Sequence, residues 1–151
     1  AKVIKHVEWY AQYFTAVTGR NVTPDDLITM SEAVYNFQRI FNLKMGFGRR
    51  KHDKIPYRAM GPVTVDEYES RRERYDKQLV ETYGVDITGK NSAIKVALLR
   101  CFRQDEYEKL QDAVYKRRGW TKDGIPTVET VKRLGIDFPE VVDLLKVHKV
   151  E

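Results

Sequence analysis

The stretch that decides the fold is SEAVYNFQRIFNLKMGFGRRKHDKIPYRAM, residues 31–60. Its first half continues a pattern begun at Leu27. Leu27, Ile28, Met30, Val34, Phe37, Ile40, Phe41 and Leu43 recur at helical spacings, which predicts an amphipathic helix to about Met45, with an apolar face broad enough to be central in a bundle. Just upstream, Thr23-Pro24-Asp25-Asp26 marks where that helix starts. Thr23 can cap free amides, Pro24 suits the first helical position, and the two aspartates favour the positive end of the helix dipole. Gly46-Phe47-Gly48 then breaks the helix, and the basic run Arg49–Lys54 leads to Pro56. Such a loop can offer backbone amides and guanidinium groups to an anionic ligand. An exposed helix-capping loop accounts for the same residues, and no phosphate-loop pattern is present.

Working outward, Val3, Val7, Tyr10, Phe14 and Val17 predict an earlier helix, with Ile4, Trp9, Tyr13 and Ala16 widening the stripe, Lys2, Lys5 and His6 on the wet side, and Gly19 as the stop. Downstream, Gly61-Pro62 marks a turn, and Thr64-Val65-Asp66-Glu67 reads as a capping box for one helix to about Tyr83. Tyr68, Arg72, Tyr75, Leu79 and Tyr83 form a thin stripe on it that suits packing onto a domain surface rather than burial in a core. Ser92 to Tyr115 is again helical in pattern, with the charged patch 103–106 as a point where it could divide. After Gly119 come a turn with Asp123-Gly124, an N-cap at Thr127 for a short helix 128–134, and a last helix from Phe138-Pro139 followed by a basic tail. No convincing strand alternation occurs, so the fold class is all-α: one irregular helical domain, 1–151, of about five to seven helices.

A chain of 151 residues is long enough to bury roughly two-thirds of its unfolded surface without a disulfide. Cys101 is the single cysteine, which excludes an intrachain disulfide and any metal or cluster site built from this chain's thiolates; set among apolar positions, it reads as an inert buried thiol. Lys and Arg number 27 against 22 Asp and Glu, giving +5, with the positive charge bunched in 49–54, 71–74 and 116–118. Sign alone does not choose between a phosphate-bearing ligand, an acidic partner, nucleic acid and a solvated face. Glu67, Glu69, Glu73 and Asp76 interrupt the basic helix, which argues against phosphate tracking and hence against nucleic acid. There is no membrane span and no signal-peptide pattern, so a cytoplasmic location is expected. No paired metal ligands, activated nucleophile or dinucleotide fingerprint is present, so no residue is assigned as catalytic or as a metal ligand.

Four motifs occur in order across most of the chain: Thr18-Gly19 followed by Thr23-Pro24-Asp25; Arg39 with Phe41-Asn42 and Gly46; Asp53 with Ile55-Pro56 and Arg58; and Arg118-Gly119-Trp120 with Gly124 and Pro126. In that combination the chain resembles the C-terminal part of the tungsten-dependent aldehyde ferredoxin oxidoreductases. The resemblance implies a parent several times this length, with a β-rich N-terminal domain and two helical domains around a tungsten or molybdenum bis-pterin centre and one 4Fe-4S cluster. It also implies oxidation of aldehydes to carboxylic acids, with ferredoxin or a dedicated electron-transfer subunit as acceptor. The family's cluster cysteines and D-x-x-G-L pterin motifs would lie upstream, and Cys101 does not occupy a cluster position. The chain then resembles a separated C-terminal domain, inactive by itself, that binds no cofactor alone and helps to close the pocket against the upstream domains.

One segment departs from the family pattern. Residues 61–116 look like an insertion, similar to what the branch containing the tungsten subunit of ATP-independent benzoyl-CoA reductases would carry, so an aromatic acyl-CoA stays open as the parent's substrate. Under the resemblance, charge and position nominate Asn42, Lys44, Gly46, Arg49, Arg50, Lys54 and Arg58 as a cofactor-binding wall facing pterin or substrate phosphates. The competing expectation is a free-standing basic helical module that binds an acidic protein or nucleic acid.

Overall fold

The computed structural model describes residues 2–148, with side chains from residue 5 onward, and the expectations that fall on Val3, Ile4 and the basic tail after His148 lie outside the described side chains. Among the described residues seven α-helices follow one another: α1 (Lys2–Thr18), α2 (Pro24–Lys44), α3 (Val65–Glu69), α4 (Arg72–Lys77), α5 (Ser92–Arg118), α6 (Val128–Arg133) and α7 (Pro139–Val147). Short 3-10 turns at Arg50–His52 and Tyr57–Met60 lie between α2 and α3. No strand forms among the described residues, and the extended pairing consists of an isolated bridge between Trp120 and Pro126. The all-α class read from the sequence is the class observed.

Two compact units form, one from residues up to 52 together with those from 116 onward, the other from 53–115. In the first, Thr23 starts α2 as its sequence dictates. The Thr23 Oγ1 accepts from the Asp26 amide at 3.1 Å, and Asp26 Oδ2 accepts from the Thr23 amide at 2.9 Å. Ile40 and Leu43 from the end of α2 pack with Ile125, Val131, Val141 and Leu145 as the core of this unit. Full burial of a side chain such as Leu145 stabilises by about 2 kcal/mol.

The apolar stripe of α1 is used differently from the sequence expectation. α1 packs against α2, but the face turned inward is Val7, Ala11, Phe14 and Thr15, whereas Tyr10 and Val17 are 62% and 85% exposed. Ile28, Val34, Phe37 and Phe41 of α2 are likewise exposed. The apolar face of each helix is therefore wider than the neighbour it meets within the unit.

In the second unit the single helix expected over 64–83 is broken. Thr64 caps α3 through the Glu67 amide at 3.2 Å, yet the Glu67 carboxylate accepts from the Val63 amide and pairs with Arg58 instead of closing a capping box on Thr64. At Arg71 the backbone leaves helical geometry (φ −136°, ψ 28°), and after α4 the chain widens to a π-turn over Gln78–Thr82. These breaks accompany a second correction. Tyr68 and Leu79 are fully buried and Tyr75 nearly so, which makes the tyrosine stripe the core of the unit, with Leu99, rather than a surface-packing strip. Burial is tolerated because the hydroxyl is satisfied: Tyr68 donates to Asp76 Oδ1 at 2.5 Å, and Lys95 donates to both Asp76 oxygens at 3.1 Å.

The long helix α5 does not divide at 103–106. Its charged groups there bond sideways, Arg103 to Gln78 Oε1 and Glu106 from the Tyr83 hydroxyl, so the backbone has no competitor. Cys101 is exposed, which corrects the buried thiol. Two residues beyond the buried Leu99, it lies about 200° around the helix from the core-facing side.

Candidate functional site

The site is built where α2 ends. Met45 caps the helix, the Gly46 amide donates to Leu43 O at 3.1 Å and the Phe47 amide to Asn42 O at 2.8 Å, a Schellman closure that needs the left-handed backbone of Gly46 (φ 87°). Gly48, also left-handed, turns the chain back onto the helix so closely that a Cβ there would sit 3.0 Å from Arg39 O and Leu43 N. The loop that follows is bound to the segment 120–126. The Arg50 amide donates to Asp123 O at 2.8 Å, its guanidinium reaches Lys122 O, and Arg49 Nη1 pairs with Asp123 Oδ2 at 3.0 Å. The other Arg49 nitrogen meets His148 Nδ1 at 2.6 Å.

Segment 118–126 is itself held against α2 by a polar and aromatic anchor. Trp120 Nε1 donates to Oδ1 of the fully buried Asn36 at 2.7 Å, and Asn36 in turn donates to Glu32 O. Tyr35 stacks on the indole at 6.0 Å. The Arg118 guanidinium lies 4.0 Å above the Tyr35 ring, and that of Arg39 lies 4.8 Å above Trp120 while its Nε donates to Gly124 O. Glu32 also pairs with both Arg133 nitrogens, at 2.8 and 3.2 Å, and the hydrogen bond from this guanidinium holds its carboxyl below the usual range. The motif residues Arg39, Arg118, Gly119 and Trp120 thus work as one clamp between α2 and the loop after α5.

Of the nominated residues, Asn42, Lys44, Gly46, Arg49 and Arg50 fall together in the unit of α2, at its C-terminal end and in the loop. Asn42 and Lys44 are exposed, Arg49 and Arg50 half-buried. Lys54 and Arg58 belong to the other unit, where Lys54 is exposed and Arg58 pairs with Glu67 at 2.7 Å. Sequence reading missed Asn36 and Asp123. Asn36 had a signal, since it shares the register of Ile40 and Leu43, the two buried apolar residues of α2. Asp123 had none beyond its turn. Among the described residues no group of three or more His, Cys, Asp or Glu is placed to hold a metal ion, and no helix is long and apolar enough to cross a membrane.

Comparison with known proteins places this geometry. The family model described as "Aldehyde ferredoxin oxidoreductase, domains 2 & 3" matches residues 1–136. The tungsten-containing aldehyde ferredoxin oxidoreductase of Pyrococcus horikoshii is 27% identical over 128 residues, 85% of this chain and 16% of that protein. The protein of the same name from Pyrococcus furiosus is 26% identical over 127 residues, 84% of this chain and 16% of its own length. The chain therefore spans about a sixth of the curated relatives it matches. No solved structure matches it significantly. With nine-tenths of its residues inside the family match, the chain belongs to the aldehyde ferredoxin oxidoreductase family, in the part described as domains 2 and 3.

Proposed function

We propose that this chain is the helical wall of a tungsten-dependent oxidoreductase, working in the cytoplasm as part of a longer protein. That protein oxidises aldehydes to carboxylic acids and passes the electrons to ferredoxin or to a dedicated electron-transfer subunit. The observation that carries the reading is the family match over residues 1–136. The exposed apolar faces support it: Trp9, Tyr10, Tyr13 and Val17 on α1, and Val34 and Phe41 on α2, are more uncovered apolar side chains than a solvated surface favours. The upstream domains of the parent are the natural cover.

The described residues suit a metal-pterin centre as an electrostatic wall, since cationic side chains such as Lys44 and Lys54 stand exposed. The centre, when bound, would supply two-electron redox chemistry, with an iron-sulfur cluster of the longer protein as the expected relay. The chain's own contribution is positioning and charge. Lys44 in the last turn of α2 offers a cationic group to anionic cofactor or substrate oxygens; in the other unit Lys54 offers the same, and Arg58 does so beside its ion pair with Glu67. Asn42 and Gly46 shape the helix end, and Arg49 and Arg50 hold the loop to residues 122–123. In the full-length enzyme, Arg49→Ala with Arg50→Ala is expected to lower cofactor content and raise KM. Unchanged cofactor content and kinetics would reduce the loop to a solvated cap.

A second reading has one observation in its favour: residues 53–115 form a compact unit of their own, covering nearly all of the segment 61–116 that the sequence reading treats as an insertion. It makes the parent a benzoyl-CoA-reductase-like subunit. Turnover assays of the full-length protein with a redox dye separate the two. Aldehyde-dependent dye reduction supports the first reading, and activity confined to an aromatic acyl-CoA supports the second.

A further inference from the structure

The unit formed by residues 53–115 contains a cleft of about 360 Å³ whose lining includes four arginines, Arg58, Arg71, Arg74 and Arg103, and one carboxylate, Glu67. The carboxylate is already engaged, by Arg58 at 2.7 Å and by the Val63 amide at 2.9 Å. Arg103 is fixed in place: Nη2 donates to Gln78 Oε1 at 2.7 Å, and its guanidinium lies 5.5 Å from the Tyr75 ring centre. It also lies so close to Gly61 (φ 128°) that a Cβ there would be 2.9 Å from Nη1, so the glycine makes room for the guanidinium at the cleft wall. Arg71 and Arg74 are exposed, line the same cleft, and their side chains make no hydrogen bond or ion pair with any described residue. A neighbouring hollow shares Arg74 and Arg103 and adds Lys77, which pairs with Glu81 of the same hollow at 3.8 Å.

We propose that this cleft is a binding site for a small molecule bearing a phosphate or diphosphate group. Like charges crowded at one cleft repel, and an anion entering it relieves that repulsion. Two guanidinium groups are held by the fold, and two retain their donors for the ligand. Planar donor forks match phosphate oxygens in pairs, which an ammonium cluster would not do. The assignment rests on the geometry of residues 53–115 and stands whether or not the longer protein oxidises aldehydes.

The test is calorimetric titration of the 151-residue chain with inorganic pyrophosphate at low ionic strength, with inorganic phosphate and citrate as parallel arms. Pyrophosphate is expected to bind one to one and more tightly than citrate. Arg71→Gln with Arg74→Gln removes no internal bond, so the fold is expected to persist by circular dichroism while affinity falls roughly tenfold or more. Lys90→Gln with Lys109→Gln removes the same charge from residues of the same unit that do not line the cleft, and is expected to leave affinity within about twofold, since charges that do not touch the ligand are screened. The proposal is overturned if pyrophosphate does not bind at millimolar concentration, if citrate binds as tightly, or if the arginine and lysine variants weaken binding equally.

Discussion

Gly119→Ala offers the sharpest test of the clamp. Gly119 has φ 66°, a left-handed conformation that costs an alanine about 1–2 kcal/mol. A Cβ there would also lie 2.1 Å from Thr130 Oγ1, far inside van der Waals contact. Thr130 is 4% exposed, and its hydroxyl donates to Gly119 O at 2.8 Å and shares a 2.9 Å bond with Thr127 Oγ1. Rotating that hydroxyl away sacrifices two bonds worth about 1 kcal/mol each in net terms, so the total comes to about 3–4 kcal/mol. Urea unfolding followed by tryptophan fluorescence measures it, because Trp120 adjoins the site. The mechanism makes a further demand. With Thr130→Ala in place, the closest approach left is that to the residue 130 Cβ, 3.4 Å, and the added cost of Gly119→Ala should fall to the backbone part alone, about 1–2 kcal/mol. A Gly119→Ala protein as stable as the parent, or costs that simply add in the double variant, would refute the reasoning.

Other perturbations follow from the two ionisable anchors. The Arg133 hydrogen bond lowers the Glu32 pKa from its ordinary 4.5, so the pair's stabilisation is fully present above about pH 4.5 and is lost as pH falls through the lowered folded value. Glu32→Gln should therefore be less stable than wild type by up to about 1 kcal/mol at neutral pH, with the gap closing below pH 4 in urea midpoints, as expected for a partly exposed pair. In the other unit, burial first and the Asp76 bond second push the Tyr68 phenol well above its ordinary 10.0. The folded state then holds that proton longer than the unfolded one, so stability drops as pH rises beyond about 10. Tyr68→Phe should cost about 1–2 kcal/mol at neutral pH and flatten part of that alkaline loss.

What was legible in the sequence is what local chemistry decides. The Thr23 cap, the proline start of α7 and the glycine stops depend on a few neighbouring residues, and each formed where expected, whereas Ile28, Val34, Phe37 and Phe41 of the α2 stripe stay exposed. The motif order gave the family, and within it Arg39, Gly46 and Trp120 make the contacts that close the clamp and the end of α2. What was not legible depends on partners distant in the chain. The stripe of Tyr68, Tyr75 and Leu79 is too thin to announce a core, and it became one only because Leu99 of α5 meets it. The α1 stripe promised burial for Tyr10 and Val17, and no element among the described residues covers them. Periodicity reports which faces are apolar, and the identity of what covers them is not a local property.

Metal content of the full-length protein, purified from its native source without oxygen, tests the central claim most directly. The account predicts near-stoichiometric tungsten or molybdenum together with iron and pterin in that protein, and none of them in the purified 151-residue chain. A full-length protein free of tungsten and molybdenum, or a 151-residue chain that retains either near one equivalent, would contradict it.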